Sequence, residues 1–199
     1  MTIGVFGGTF DPPHLGHLAA AQEACCEAGL DQVLFVPAWR NPLKLDEPVT
    51  PPEHRVAMTE LAVAGNPAFG VSHADLAYGG PSFTVDLLER LHSELGEELA
   101  FVVGMDVLRE LHRWHHPDRL LALARLIAVS RPGHRAFDPA ELEARLPGAQ
   151  ERISLVWTPG VAISSTELRA RVAEGRPIRY LVPDVVADYI VEHRLYLGG

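Results

Sequence analysis

The chain has 199 residues, of which 47% are hydrophobic and 22% charged, and its formal net charge at pH 7 is −9. This length fits one globular domain with a substantial core. The negative charge argues against non-specific binding to nucleic acid, which needs a basic face. No apolar run is long enough to span a bilayer, and the first residues do not resemble a signal peptide. We therefore expect a cytoplasmic protein that binds neither nucleic acid nor membranes.

Short apolar runs alternate with helical patterns along the chain. The runs suit strands of a parallel sheet that is covered on both faces. They span residues 3–6, 33–36, 99–103, 126–130 and 153–157, and the helical patterns span residues 18–28, 52 to about 64, 82–95 and 168–173. This alternation predicts an α/β fold with a Rossmann-like open parallel sheet and helices on both faces. We expect a single domain over residues 1–199, with a helical C-terminal part from about residue 164.

Two loops follow predicted strands, at residues 38–51 and 130–139. In open α/β sheets, ligands bind beyond the carboxyl ends of the strands, so both loops are candidate walls of a ligand site. The first loop is our candidate for a mobile lid.

Two clusters contain residue types that can form disulfides or bind metals. Cys25 and Cys26 are adjacent in a predicted helix, which directs neighbouring side chains apart, so we expect free thiols. His112, His115 and His116 offer three imidazoles, but a structural metal site needs a fourth ligand and supporting hydrogen bonds. These histidines are better interpreted as the rim of a pocket, and we expect no metal site built from protein ligands.

The segment after the first predicted strand reads Gly7-Gly8-Thr9-Phe10-Asp11-Pro12-Pro13-His14-Leu15-Gly16-His17. The two leading glycines permit a tight turn and the close approach of a phosphate to backbone N–H groups, and the threonine adds a hydroxyl. Gly16 leaves room for a base or ribose against the helix. His14 and His17 lie about one turn apart, where they can hold a phosphate chain at the helix start and stabilise charge at phosphorus. Each residue alone could simply cap a helix, but the combination favours a phosphate site.

A second motif, Ile163-Ser164-Ser165-Thr166-Glu167-Leu168-Arg169, opens the last helical pattern. A capped helix start is its simplest interpretation. The functional alternative is that the hydroxyl and backbone N–H groups of Ser165 and Thr166 meet phosphate oxygens, with Arg169 adding a positive charge one turn later.

Together the two motifs resemble the nucleotidyltransferase superfamily that is marked by a His-x-Gly-His motif and a late Ile-Ser-Ser-Thr-x-x-Arg motif. Within it, the chain is similar to the bacterial nicotinate-nucleotide adenylyltransferases along nearly its whole length. The intermediate landmarks are Gly80-Pro81-Ser82-Phe83-Thr84, Val103-Gly104-Met105-Asp106, Arg113-Trp114, Ser130-Arg131-Pro132-Gly133 and Leu181-Val182-Pro183-Asp184. The resemblance implies a Rossmann-like fold and transfer of the adenylyl group of ATP to nicotinate mononucleotide, a step of NAD synthesis.

The resemblance also implies roles for individual residues. Those implied to be catalytic, through contacts with the phosphates of ATP, are His14, His17 and Arg169. Those implied to bind ATP are Gly7, Gly8, Thr9, Phe10, Gly16, Gly104, Asp106, Arg131, Ser165 and Thr166. Those implied to bind the pyridine nucleotide are Lys44, Thr84 and Trp114, with Trp114 stacked on the ring. The family implies Mg²⁺ with ATP, held mostly by phosphate oxygens and water.

Several alternatives stay open at this point. Asp106 could cap a helix, Trp114 could be a core aromatic, Thr84 an ordinary first-turn residue and Arg131 a solvated charge. The family often carries Pro-His-Lys in the first loop, whereas Leu43 stands at the histidine position here and Lys44 is retained. The acceptor could instead be nicotinamide mononucleotide or phosphopantetheine, or the chain could be a nucleotide sensor without turnover. A homo-oligomer is compatible with the sequence.

Overall fold

The computed structural model describes residues 1–40, 48–78, 80, 82–130 and 138–198. Within these residues, six strands form one sheet in the order β3-β2-β1-β4-β5-β6, and every neighbouring pair is parallel. The strands are β1 Thr2–Gly8, β2 Gln32–Pro37, β3 Phe69–Val71, β4 Glu98–Gly104, β5 Ala124–Val129 and β6 Ile153–Val156. The strand order reverses between β1 and β4, which is where open α/β sheets bind their ligands.

Helices connect the strands and follow the last one. Those before β4 are α1 Leu15–Glu27, α2 Pro52–Val63, α3 Ala74–Tyr78 and α4 Thr84–Leu95. Those after β4 are α5 Met105–Leu108, α6 Pro117–Leu123, α7 Ala140–Glu143, α8 Ala149–Arg152, α9 Ser165–Ala173 and α10 Asp184–Glu192, and a 3₁₀ helix covers Leu111–Arg113. No helix in the described ranges is long and apolar enough to cross a membrane.

The structure confirms the α/β class and the five predicted strands, and it corrects two details. It adds β3, a three-residue edge strand that the apolar pattern does not reveal because Gly70 interrupts it and its residues are half-buried. It also starts the first helix at Leu15 instead of Leu18, since His14 has an extended backbone and serves as its N-cap. Gly96 ends α4 in the left-handed conformation, with φ of 65°, as its position predicts.

Two apolar clusters cover the two faces of the sheet. Along β4, Leu99, Phe101 and Val103 pack in one cluster with the leucines of α4 and α6. Ala100 and Val102 pack in the other, with the alanines of α1. This alternation is the pleat of a strand that is buried on both sides.

A third, smaller cluster joins the C-terminal helices to α2. Met58 of α2 packs there with residues of α9, of α10 and of the segment between them. Its buried members are Met58, Leu168, Ile178, Val182, Val186 and Ile190. This packing holds the C-terminal helices near the carboxyl ends of β1 and β4.

Candidate active site

Two adjoining cavities open at the carboxyl ends of β1 and β4. The larger has a volume of about 400 Å³ and the smaller about 320 Å³. Phe6 and Gly104 line both, so the two cavities meet at the point where the strand order reverses. Among the predicted residues, the larger cavity is lined by Gly7, Gly8, Thr9, Gly104, Thr84 and Trp114, and the smaller by His14, Gly16, His17 and Gly104.

The turn at residues 10–14 joins β1 to α1 and begins with a buried aromatic side chain. Phe10 is 2% exposed and has a φ of 49°. Its ring lies edge-on to His17, with 5.1 Å between the centroids. A Cβ on Gly8 would lie 2.9 Å from the same ring, so only glycine fits there. Phe10 lines neither cavity, and its ring packs against His17 inside the turn. Its contact with ATP stays a prediction.

The two motif histidines lie against each other at the start of α1. Their rings are stacked, with centroids 3.6 Å apart and planes 22° apart. The backbone N–H of His14 donates to Nδ1 of His17 at 3.2 Å. Because Nδ1 accepts this bond, the proton of the neutral His17 ring lies on Nε2. His17 can therefore donate a hydrogen bond to a ligand oxygen without becoming charged.

Gly16 has a more local role than the one we predicted from the sequence. A Cβ at this position would lie 3.0 Å from Nδ1 of His14 and 3.4 Å from the carbonyl oxygen of Val161. The space beside Gly16 is therefore filled by the His14 ring, so the glycine first makes room for a neighbouring histidine. Gly16 still lines the smaller cavity, and its contact with ATP stays a prediction.

Four hydrogen bonds connect the C-terminal part of the chain to residues 11–15. The Ser165 hydroxyl donates to the carbonyl of Pro12 at 2.9 Å, and Nη1 of Arg169 donates to the carbonyl of Asp11 at 2.8 Å. The others run from the Tyr196 hydroxyl to Oδ1 of Asp11, at 2.6 Å, and from the Leu15 N–H to the carbonyl of Leu181, at 3.0 Å. The second motif is thus placed directly beside the first, as a shared phosphate site requires.

A buried arginine holds the same turn from the other side. Arg55 of α2 is 1% exposed. Its guanidinium donates to the carbonyls of Thr9 (2.9 Å), Ala38 (2.7 Å), Trp39 (3.3 Å) and Thr50 (2.9 Å). Burial lowers the pKa of Arg55, and the nearby Asp11 partly opposes that shift. These bonds tie the segments after β1 and β2 to one helix.

The larger cavity carries an aromatic side chain beside the first turn of a helix. Trp114 lies edge-on to Phe101, with centroids 6.3 Å apart, and is half-buried against the core. Its buried indole N–H has no hydrogen-bond partner among the described residues. Thr84 is the first residue of α4 and lines the same cavity. Trp114 therefore packs partly against the core and partly lines the larger cavity.

Asp75 is a buried carboxylate in the wall of the larger cavity. It is 1% exposed and accepts from the Trp39 N–H at 2.7 Å, from the Ser82 hydroxyl and from Arg90 at 3.2 Å. The Ser82 N–H in turn donates to the carbonyl of Arg40 at 3.0 Å. Asp75 thus fixes the segment after β2 to the residues that precede α4.

Other predicted residues lie near these cavities or fall outside the described residues. Asp106 is the second residue of α5, the helix that begins directly after Gly104. Thr166 is exposed at the start of α9, with its hydroxyl 3.4 Å from Nη2 of Arg169. Ser164 is the N-cap of that helix and accepts from the Glu167 N–H at 3.2 Å. Lys44, Leu43 and Arg131 lie outside the described residues.

The clusters that we separated from metal and redox roles can also be placed. Within the described residues, no group of three or more histidine, cysteine or carboxylate side chains could hold a metal ion. His115 lines the larger cavity, and His116 adopts a left-handed φ of 48° before α6. Cys25 and Cys26 are free, which confirms that prediction.

Sequence reasoning missed the buried polar residues around the 10–14 turn. The first motif contains Asp11, but the local sequence indicates no hydrogen-bond partner for its carboxylate. Neither Arg55 nor Tyr196 is part of a motif. A signal for Arg55 existed, because Met58 and Thr59 follow at helical spacing on the same buried face of α2. Tyr196 carries no local signal, since its partner lies 185 positions earlier.

Comparison with known proteins places this site in a family. Residues 5–171 match the family described as cytidylyltransferase-like. A probable nicotinate-nucleotide adenylyltransferase of Roseiflexus sp. (strain RS-1) is 49% identical over 194 residues, covering 98% of this chain and 97% of that protein. A protein of the same name from Symbiobacterium thermophilum is 47% identical over 199 residues, covering 99% of this chain and 96% of that protein.

Solved structures show the same fold. The chain superposes on a Plasmodium falciparum nicotinic acid mononucleotide adenylyltransferase complexed with APC, with a TM-score of 0.79 at 20% identity, covering 98% of this chain and 96% of that one. A second structure of that enzyme, complexed with NaAD, gives a TM-score of 0.78 at 21% identity over 98% of this chain and 97% of that chain. With the identity to curated relatives along the whole chain, we conclude that this protein belongs to the nicotinate-nucleotide adenylyltransferase family.

Proposed function

We propose that this protein transfers the adenylyl group of ATP to nicotinate mononucleotide, which gives deamido-NAD and pyrophosphate. Family membership supports the proposal, and one observation of the site carries it: two cavities adjoin at Phe6 and Gly104. The smaller is lined by two stacked histidines at a helix start, which suits a phosphate chain. The larger is lined by Trp114 and Thr84, which suits a pyridine nucleotide.

The reaction needs no general base, because the attacking group is already an anion. An oxygen of the 5′-phosphate of nicotinate mononucleotide forms a bond to the α-phosphorus of ATP. At the same time the bond from that phosphorus to the bridging oxygen breaks, and pyrophosphate leaves with the electron pair. Catalysis then comes from alignment of the two nucleotides and from stabilisation of the charge that develops on the α-phosphate.

His17 and His14 fit the charge-stabilising role. The Nε2–H of His17 would donate to an oxygen of the α-phosphate, since its Nδ1 is already engaged by the His14 backbone. His14 is 6% exposed and stacked on His17, so the second ring is held in a fixed position next to the first. Gly7, Gly8 and Thr9 would offer backbone and hydroxyl donors where the two cavities meet.

The second motif would bind the β- and γ-phosphates. Ser165 and Thr166 start α9, where backbone N–H groups and the helix dipole favour an anion. Arg169 would add a fixed positive charge, which its bond to the Asp11 carbonyl already orients toward the first motif. We propose that Lys44 and Arg131 also approach the phosphates, and that Gly104 and Asp106 meet the ribose.

The protein residues fit Mg²⁺ that arrives with the nucleotide. Mg²⁺ usually keeps several waters and binds through substrate phosphates, so it needs no cage of protein ligands. The described residues contain no such cage. When bound, the ion would neutralise charge on the pyrophosphate that leaves. We also propose a cytoplasmic location, which suits the free thiols of Cys25 and Cys26.

Steady-state assays with three acceptors test this function. The purified protein is given ATP, Mg²⁺ and either nicotinate mononucleotide, nicotinamide mononucleotide or phosphopantetheine, and pyrophosphate release is measured. We expect the highest kcat/KM with nicotinate mononucleotide, because the first turn of α4, which begins with Thr84 in the larger cavity, offers donors to its carboxylate. A preference for another acceptor would overturn the substrate assignment. Nucleotide binding without pyrophosphate release would favour the sensor alternative.

A further inference from the structure

The carboxylate of Asp11 is buried in the turn that precedes the motif histidines. It is 2% exposed and lines neither cavity. Oδ1 accepts from the Tyr196 hydroxyl at 2.6 Å, and Oδ2 accepts from the Thr50 N–H at 3.1 Å. A buried carboxylate is stable only when donors replace its water, so these two bonds fix where Asp11 can lie.

A change in the position of Asp11 would also move the histidines, because they share one turn. It stands three residues before His14, in the same short turn. Its neighbour Phe10 packs edge-on against the His17 ring, and the His14 N–H bonds to that ring. A shift of the turn would therefore move both rings and change the hydrogen bond that sets the tautomer of His17.

Tyr196 differs from the other C-terminal partners of the turn. Ser165 and Arg169 belong to the second phosphate motif, and Leu181 contributes a backbone carbonyl. The Tyr196 side chain has no place in either cavity, and its hydroxyl lies between Asp11 and the sulfur of Met58, which is 3.9 Å away. The hydroxyl contacts the catalytic turn through its bond to Asp11.

The backbone near the end of the chain is bent so that Tyr196 returns to the turn. Arg194 and Tyr196 both have left-handed φ angles, of 50° and 63°. Side-chain-bearing residues adopt this conformation at a cost that surrounding contacts must offset. Burial, and then the charge of Asp11, raise the pKa of Tyr196, so its hydroxyl stays protonated and remains a donor at neutral pH.

We propose that Tyr196 is a positioning residue for adenylyl transfer, whose hydroxyl holds the Asp11 carboxylate and thereby the turn that presents His14 and His17. This inference rests on the proposed function. Tyr196 touches no reacting atom; it fixes the geometry of the residues that do.

Kinetics of Tyr196→Phe provide the first test, with Tyr189→Phe as the matched control. The control removes a hydroxyl from the same C-terminal region, one that bonds to His54 at 2.9 Å and does not touch Asp11. We expect Tyr196→Phe to lower kcat by about tenfold, because small misplacements of catalytic groups are costly. KM for nicotinate mononucleotide should stay within about twofold, since the larger cavity is untouched. The control should keep kcat unchanged, while both variants lose a similar few degrees in Tm.

A double-mutant cycle with Asp11→Ala, which removes the acceptor, shows whether Tyr196 acts through Asp11. If it does, adding Tyr196→Phe to Asp11→Ala should lower kcat by much less than it does in the wild type. Equal effects in the two backgrounds would overturn the proposed route.

Nitrogen NMR of the His17 ring supplies a readout that does not depend on turnover. The wild type should show the Nε2–H tautomer that the His14 bond imposes. Tyr196→Phe should shift or broaden these signals, and Tyr189→Phe should leave them unchanged. An unaltered ring spectrum, wild-type kcat in Tyr196→Phe, or an equal loss of kcat in the control would each overturn the positioning role. If the wild type shows no adenylyl transfer and Tyr196→Phe still shows the expected NMR change, the proposed function is refuted instead.

Discussion

The two halves of the site are held in place by different kinds of contact. The 10–14 turn is fixed by hydrogen bonds that involve buried side chains: Arg55 donates to the Thr9 carbonyl just before the turn, and Tyr196 donates to Asp11 within it. The 111–116 segment of the larger cavity is held by apolar packing of Leu111 in the core and by ring contacts of Trp114 and His115, and the ion pair between Arg113 and Glu110 is exposed.

This contrast separates the tasks of the two halves. Hydrogen bonds are directional, so the turn can hold histidine rings in one orientation for the charge that develops at phosphorus. Apolar contacts are not directional, so the 111–116 segment can adjust to a pyridine ring. Substitutions in the turn should therefore affect kcat or folding, and substitutions in the segment should affect KM.

The largest effect should come from Arg55→Met, which would show how much folding depends on the hydrogen-bonded half. The variant removes the buried donor that four backbone carbonyls share, so we expect the free energy of unfolding to fall by about 3–5 kcal/mol. Urea denaturation measures it. Arg119→Met, which removes a side chain that is 63% exposed, should change it by less than about 0.5 kcal/mol. Similar losses in the two variants would show that the buried bonds are not what holds the turn.

His14→Ala tests whether the turn serves turnover more than stability. We expect kcat to fall about 10²- to 10³-fold, as when a preorganised charge-stabilising donor is removed, with a much smaller effect on Tm. His73→Ala, which removes an exposed imidazole paired with Glu60, is the control and should retain full activity. Near-normal turnover of His14→Ala would contradict its assigned role.

Trp114→Leu tests the role of the 111–116 segment of the larger cavity. Loss of the stacking face should raise KM for nicotinate mononucleotide about tenfold, with kcat changed much less. Trp157→Leu, at a tryptophan that is 62% exposed and lines neither cavity, is the matched control. If Trp114→Leu lowers kcat and leaves KM unchanged, the division of tasks between the two halves is wrong.

The smallest expected effect is a loss of folding stability at alkaline pH. Burial raises the pKa of Tyr196 in the folded protein, whereas the unfolded chain ionises this group at its ordinary value of about 10. Stability from this hydroxyl is therefore complete below that pH and is lost as the pH rises above it, by up to about 1.4 kcal/mol per pH unit. Denaturation at several pH values should show a steeper alkaline loss in the wild type than in Tyr196→Phe. Parallel curves would contradict a buried, hydrogen-bonded hydroxyl.

The sequence was sufficient where structure follows local pattern. Apolar runs located five strands, and the first helix was predicted after the His14 motif, although it begins at Leu15 and not at Leu18. It failed at β3, where three half-buried residues provide too little pattern. It also does not reveal that the His14 ring fills the space beside Gly16, whose contact with ATP stays a prediction.

The buried polar network could not be predicted because its partners are far apart in sequence. Arg55 and Thr9 are 46 positions apart, and Tyr196 and Asp11 are 185 apart. Nothing in the residues next to Tyr196 indicates a carboxylate near residue 11. Such pairs are fixed by the path of the chain through the third apolar cluster, which brings the C-terminal helices to α2.

The bond between the last turn of chain and residue 11 has a consequence for synthesis. All six strands precede residue 157, so a growing chain contains the entire sheet before it contains Tyr196. Contacts between such distant residues also form late in folding, because they require a long loop to close. Chains that end prematurely after the sheet would then be able to fold in part while lacking an ordered catalytic turn. Activity would be acquired only after Tyr196 has left the ribosome.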